Sequence, residues 1–296
     1  MFHTLMALWV TIAAPVQTSD TTIRVEEGMR LNLRNEAGEI RVTTWERHEV
    51  RVVLSRARGV RIDVERSGSV LRIRSALDLG FRDEFRTRGR RGRFDDDEVV
   101  DFALTVPVYL DLELYGVETD ISVVGMNASV TAETVEGSIL VRGGNGLVMV
   151  HSVEEEVRVE RVRGRVRASS TDGDVWISDV VGEVTAESVD GNIELNDVDS
   201  RQVTARTVDG DVVFDGPIHD DGRYHLSTHD GDVTAWIPAG TNATVMVANF
   251  DGDFETSFSV MLRGLRGRRF HFTLGDGSAR IELESFDGDV YLRRRR

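Results

Sequence analysis

The chain has no cysteine, which removes disulfides, thiolate metal sites and a lipobox-type lipid anchor. It has no lysine either, so all 36 basic side chains are arginines. Cationic excess is missing as well: the formal net charge is −15, which argues against nucleic acid as the main partner, because phosphate binding needs a net basic face. Long apolar runs are confined to Leu5–Ala14. That run fits a secretory h-region and falls short of the roughly 20 residues a bilayer span requires. With Pro15 and the small polar residues Thr18 and Ser19 after it, residues 1–19 read as a signal peptide, a buried first strand or retained anchor being the alternatives. No transmembrane span is expected elsewhere. Long helical apolar patterns are also missing, as are a G-x-S-x-G setting for a serine nucleophile and a phosphate-cradling glycine loop leading into a helix.

What is present is strand patterning, and 40% apolar residues suffice for a core. Residues 22–77 alternate with period two in MRLNLRN, GEIRVTTW, HEVRVVLS, VRIDVER and VLRIRS. Residues 78–98 break the pattern with six arginines (Arg82, Arg86, Arg88, Arg90, Arg91, Arg93), then Asp95, Asp96, Asp97 and Glu98. Such a block reads as a solvated loop. Residues 20–110 therefore form an N-terminal β region carrying this charged loop.

From Leu112 to Ser200 one pattern returns every 18 residues, as in GRVRASSTDGDVWISDV from Gly164 and GEVTAESVDGNIELNDV from Gly182. Val184 and Ala186, then Ile193 and Leu195, fall on one face, with Thr185, Glu187, Glu194 and Asn196 on the other. Each unit is thus two short half-buried strands. A string of antiparallel hairpins would show the same alternation. The fixed period favours a solenoid, in which equivalent positions stack in columns. The hydroxyl residues Thr134, Ser152, Ser170, Ser188, Thr207 and Thr228 align in such a column and suit the inside corner of a coil. The fold class expected is all-β, a parallel β-helix of about 18 residues per coil over 111–292, followed by a frayed basic tail at 293–296. Turn glycines spread beyond Ser200, and the extra residues fall in PIHDDGR, IPAGTN and SVMLRGLRGRR, which read as surface loops.

The turns repeat as Asp-Gly-Asp or Asp-Gly-Asn. A tight turn accounts for the Asp and Gly, but not for the acid that follows. Coils stacked about 4.8 Å apart would align Asp209, Asp230 and Asp251 in one column and Asp211, Asp232 and Asp253 in a second. Neighbouring carboxylates at that distance repel by about 0.9 kcal/mol even in water. Bulk counterions or a ladder of divalent cations would offset this, Ca²⁺ being the candidate because it takes about six to eight oxygens. The double glycine and second spaced glycine of the calcium-binding nonapeptide are absent, so no cofactor is expected and the calcium ladder is the weaker reading. His219, His225 and His229 cluster in sequence, but a strand sets the last two about 13 Å apart, so they read as surface histidines. Glycoside hydrolysis needs two carboxyls about 5 to 9.5 Å apart with one pKa raised. An acidic ladder offers many such pairs and singles out none, so no catalytic residue is expected.

The segments GEIRVTTW at 38–45 and LTVPVYLDLEL at 104–114, with the later V-x-A-x-[ST]-x-[DE]-G-[DNS]-[IV] runs, make the chain similar to a bacterial adhesin-like family of β-strand-repeat proteins. The resemblance implies a single-stranded right-handed β-helix. The functional expectation is a non-catalytic module of the secreted, periplasmic or cell-surface space, binding a glycan or an envelope protein or serving a structural role. A β-helix carbohydrate-active enzyme is the first alternative, and a self-associating scaffold built through exposed coil ends is the second. Partner contacts are expected first in the Arg-rich late loop, at Arg263, Arg266, Arg268 and Arg269.

Overall fold

The computed structural model describes residues 20–55, 60–77, 99–261, 263–266 and 268–295. The expected signal segment 1–19 and charged stretch 78–98 lie outside them. Among the described residues there is no helix, and 25 strands join one open, mostly parallel hydrogen-bonded sheet.

Period-two alternation sets the interior. In Val184–Glu187 the side chains of Val184 and Ala186 are buried, and in Ile193–Asp199 those of Ile193, Leu195 and Val198. Neither strand pairs with its sequence neighbour. Val184–Glu187 lies between Arg165–Ser169 and Gln202–Arg206, whereas Ile193–Asp199 lies between Val175–Val181 and Val212–Asp215. Two consecutive strands therefore make one rung with two faces, and rungs stack in parallel. Partners are 18 residues apart at Val175↔Ile193, 19 at Val184↔Val203 and 21 at Val212↔Val233, following the loosening glycine spacing.

Inward columns of valine, isoleucine, leucine and alanine run the length of the stack, most of them no more than 2% exposed. Burying each larger side chain contributes about 1.5–3 kcal/mol relative to exposure. The columns continue through position 110. Arg30–Trp45 lies parallel on Asp111–Val124, with Leu31 opposite Leu112 and Val42 opposite Val123, so the N-terminal region shares the sheet and core of the array.

The last rungs depart from consecutive stacking. Ala279–Asp287 pairs with Arg223–Asp230 on one side and with Ala243–Asp251 on the other. Val290–Arg294 likewise lies between Val233–Ile237 and Phe254–Thr256. Part of the extra length read as a surface loop explains this. Arg263–Arg266 and Arg269–Leu274 form an antiparallel pair, and the second strand caps Ala243–Asp251 from outside, leaving a rung-wide gap that the chain re-enters. At the other end Val60–Ser67, Glu49–Ser55 and Asp20–Arg24 also make antiparallel pairings. Such strands blunt the open edge of a parallel stack.

The tail is not frayed through Arg295. Val290–Arg294 is a strand, the Arg295 amide donates to the Ile237 carbonyl at 2.8 Å, and the Arg295 guanidinium meets Asp215 at 2.6 Å and Asp197. These side chains are anchored because the terminal rung is inserted within the stack rather than placed at its end.

Candidate functional site

The turn between the two strands of each rung is the most repeated feature of the surface, and its construction starts with the hydroxyl column. Ser152 Oγ donates to the Gly137 carbonyl at 2.8 Å, Ser188 Oγ to Gly173 at 3.1 Å, Thr228 Oγ1 to Gly210 at 2.8 Å and Ser285 Oγ to Gly231 at 2.9 Å. Each buried hydroxyl ties its rung to the turn of the neighbouring rung, which satisfies a carbonyl that a tight corner would leave unpaired. At the end rungs the position is held by Asn35 and Asn249. Their amides reach carbonyls of their own turns, Ala37 and Asp253, at 3.0 Å.

Glycine is required next to this seam because backbone lies on backbone. At Gly288, with φ of 146°, a Cβ would collide with the Gly231 carbonyl of the neighbouring rung.

The acid after the glycine is explained by a second ladder. The Asp232 amide donates to Asp211 Oδ1 at 2.8 Å, the Asp289 amide to Asp232 Oδ1 at 2.7 Å and the Asp253 amide to Asp289 Oδ1 at 2.8 Å. Asn192 fills the same role, accepting the Asp211 amide at 2.9 Å, so the requirement is a side-chain oxygen and not a charge. The backbone donor from Asp253, together with the Tyr291 hydroxyl at 2.8 Å, holds the Asp289 carboxyl below the usual carboxylate range. The same hydroxyl bond pushes Tyr291 up to about 12.

The two acid columns expected from the sequence therefore have a different order. Asp287 stands between Asp230 and Asp251, and Asp289 between Asp232 and Asp253, because the terminal rung is inserted there. Among the described residues no three acids or histidines converge as a metal-binding group. The first column is long: Asp190, Asp209, Asp230, Asp287 and Asp251 are successive neighbours. Turn hydrogen bonds carry the same position back through Asp172, Glu154 and Glu136 to Glu118.

Beside this acidic ridge runs an apolar one. The residue before each turn acid points outward, leaving Val189 50%, Val208 49%, Phe286 45% and Phe250 54% exposed. Phe250 and Phe286 stack with centroids 4.5 Å apart and planes 6° from parallel, and His229 stacks on the other face of Phe286 at 4.6 Å. The Arg268 guanidinium closes the row, 4.5 Å from the Phe250 ring centre and 3.8 Å from Asp251. A guanidinium over a ring gains from the ring quadrupole as well as from the carboxylate. The sequence held a signal for this row: the residue before Asp-Gly reads Val189, Val208, His229, Phe286 and Phe250. Reading the motif for its acids alone passed over it.

Of the four arginines expected in the late loop, Arg268 joins this row. Arg263 and Arg269 belong to the capping strands opposite His271 and Arg266 respectively, and Arg266 is placed here by backbone register only. The histidines separate: His219 Nε2 pairs with Asp199 at 2.6 Å, His225 Nδ1 with Glu282 at 3.0 Å, and His229 lies in the aromatic row.

The profile of one family, described as Toastrack DUF4097, matches residues 17–293. No curated protein matches the chain. Among solved structures, the chain is similar to a candidate cell adhesion protein from Clostridium sporogenes, with 10% identity, 93% of this chain and 99% of that one covered, and a TM-score of 0.22. It is similar also to a candidate adhesin from Bacteroides fragilis, with 11% identity, coverage of 94% and 98%, and a TM-score of 0.37.

Proposed function

The chain belongs to the Toastrack DUF4097 family, and from that premise we propose that it is a non-catalytic, adhesin-like β-solenoid of the envelope or secreted space, needing no cofactor. In this reading the rungs wind as a single-stranded right-handed parallel β-helix of about 18 residues per coil, as the partner spacing at Val175↔Ile193 supports. The packed interior leaves the outer surface to carry the function.

One observation carries the reading: the exposed row of Val189, Val208, His229, Phe286 and Phe250, laid beside a column of carboxylates. Scattered surface apolar groups are ordinary, whereas a contiguous exposed row marks an interaction surface. The row's partner is an envelope protein or glycan presented to the turn side of the stack. The antiparallel strands at both ends favour this over an end-to-end scaffold.

Purified protein passed over immobilised envelope proteins and polysaccharides separates the readings. Retention without release of cleavage products, lost in Phe250→Asn and Phe286→Asn, is the expected result. Release of shortened saccharides would replace this reading with an enzyme, and retention unaffected by either change would move the contact away from the row.

A further inference from the structure

A second surface lies on one strand face, away from the turns. Gln202–Arg206, Arg223–Asp230 and Ala279–Asp287 are successive parallel neighbours, and their outward side chains make a grid: Gln202, Arg223 and Arg280 in the first row, Thr204, His225 and Glu282 in the second, Arg206, Ser227 and Glu284 in the third. Thr204 is short and its neighbours are long. The result is a shallow groove of about 470 Å³ bordered by Arg206, Arg223, Arg280 and His225.

The charge pattern in this groove runs against that of the chain. Acids outnumber bases by 51 to 36, and outward arginines elsewhere on this face meet a carboxylate on the next rung, as Arg165 meets Glu183 at 2.8 Å and Arg30 meets Glu113 at 2.6 Å. Arg223 faces Arg280 instead, a like-charge cross-strand pair that is destabilising unless something offsets it. Glu282 offsets one member, accepting from Arg280 Nε at 2.6 Å and facing His225 Nδ1 at 3.0 Å. Among the described residues no carboxylate lies within ion-pair reach of Arg223 or Arg206. Two guanidiniums thus face an open polar groove with their donor forks unfilled.

We propose that this groove is an anion subsite for an acidic glycan, Arg223 and Arg206 taking its carboxylate or sulfate while Gln202 and Thr204 hydrogen-bond the neighbouring hydroxyls. A planar guanidinium presents paired donors that match a carboxylate two at a time. The Glu282 charge does not repel the ligand's, because His225 and Arg280 already hold it. A groove open across successive rungs accepts an extended polymer, whereas an isolated small anion would leave Gln202 and Thr204 unused. His225 and His229 sit four residues apart on one strand, which sets this subsite about 13 Å from the aromatic row. The two surfaces therefore stand or fall separately.

The test is titration calorimetry of the full protein with an oligogalacturonate, the neutral oligogalactoside of the same length, and sodium sulfate. Uronate binding is expected, with no measurable neutral binding and much weaker sulfate binding. Arg206→Gln/Arg223→Gln should weaken uronate binding about tenfold or more, since each lost bond is charge-assisted. Arg165→Gln, a change on the same face outside the groove, should leave it unchanged. Unfolding curves of each variant confirm folding, and Arg206→Lys/Arg223→Lys, which keeps the charge but not the fork, should lie between. Absence of uronate binding, equal binding by the double Gln variant, or an equal loss in Arg165→Gln would each overturn the subsite. Sulfate binding as tight as uronate would reduce it to a generic anion site.

Discussion

The Asp289 amide donates to Asp232 Oδ1 at 2.7 Å, although 57 residues separate the two, and the Asp253 amide reaches not Asp232 but Asp289, at 2.8 Å. This one ladder explains both the repeated acid and the order of the rungs. The side-chain oxygen is the link between rungs, and whichever rung lies next supplies the amide.

If the oxygen and not the charge matters, Asp232→Asn should leave the urea midpoint nearly unchanged. Asp232→Ala should cost about 1 kcal/mol, the usual worth of a net hydrogen bond. Asn192 already does this work elsewhere in the ladder. Equal losses in the two variants would show that the carboxylate charge is the stabilising element.

Much of the fold was legible because its information is local. Alternation at Val184, Ala186, Ile193 and Leu195 gave the buried face, and the hydroxyl column from Thr134 to Thr228 gave the inside seam. The order of the last rungs was not legible, since turns of near-identical chemistry at Gly231, Gly252 and Gly288 can stack in any sequence. What decides is the antiparallel pairing of Arg269–Leu274 on Ala243–Asp251, a long-range contact without a repeat signature. The surface was less legible still. Phe250 and Phe286 are 36 residues apart and stack only because the inserted rung makes them neighbours. Arg206 and Arg223 stand out only through carboxylates that a sequence cannot place.

All four tyrosines titrate above their ordinary value of 10.0, Tyr109, Tyr115 and Tyr224 chiefly through burial and Tyr291, to about 12, through its bond to Asp289. A folded value above the unfolded one favours the protonated folded form. That stabilisation is present in full below pH 10 and is lost as pH rises through the folded values. Tyrosinate absorbance followed with circular dichroism should therefore show ionisation delayed beyond the ordinary value. Asp289→Asn keeps the oxygen for Asp253 but removes the charge, so one tyrosine should return toward its ordinary value. A native wild-type titration centred on 10 would contradict the geometry.

The aromatic row should be energetically coupled. In a double-mutant cycle with Phe250→Leu and Phe286→Leu, the stacked pair should show a coupling of about 0.5–1.5 kcal/mol beyond the separate losses of area. Chemical unfolding of the four proteins measures it. Additivity within about 0.3 kcal/mol would mean that the rings lie together without stabilising each other.

Rung order has a direct covalent test, made clean by the absence of native cysteine. Thr234 and Tyr291 are Cα partners on neighbouring rungs, and Tyr291 is also the partner of Glu255, so Thr234 and Glu255 are separated by a full rung. Neighbouring strands lie about 4.8 Å apart, inside the Cα range of a disulfide, while two rungs exceed it. Thr234→Cys/Tyr291→Cys and Glu255→Cys/Tyr291→Cys should therefore oxidise to intramolecular disulfides under mild oxidant, read as loss of two hydrogens by mass and of free thiol by labelling. Thr234→Cys/Glu255→Cys should keep both thiols. Consecutive stacking predicts the reverse, because the 21-residue spacing that pairs Val212 with Val233 would carry Thr234 onto Glu255. A disulfide in that third variant, with free thiols in the other two, would return the terminal rung to the end of the stack and separate Phe286 from Phe250's two-sided row.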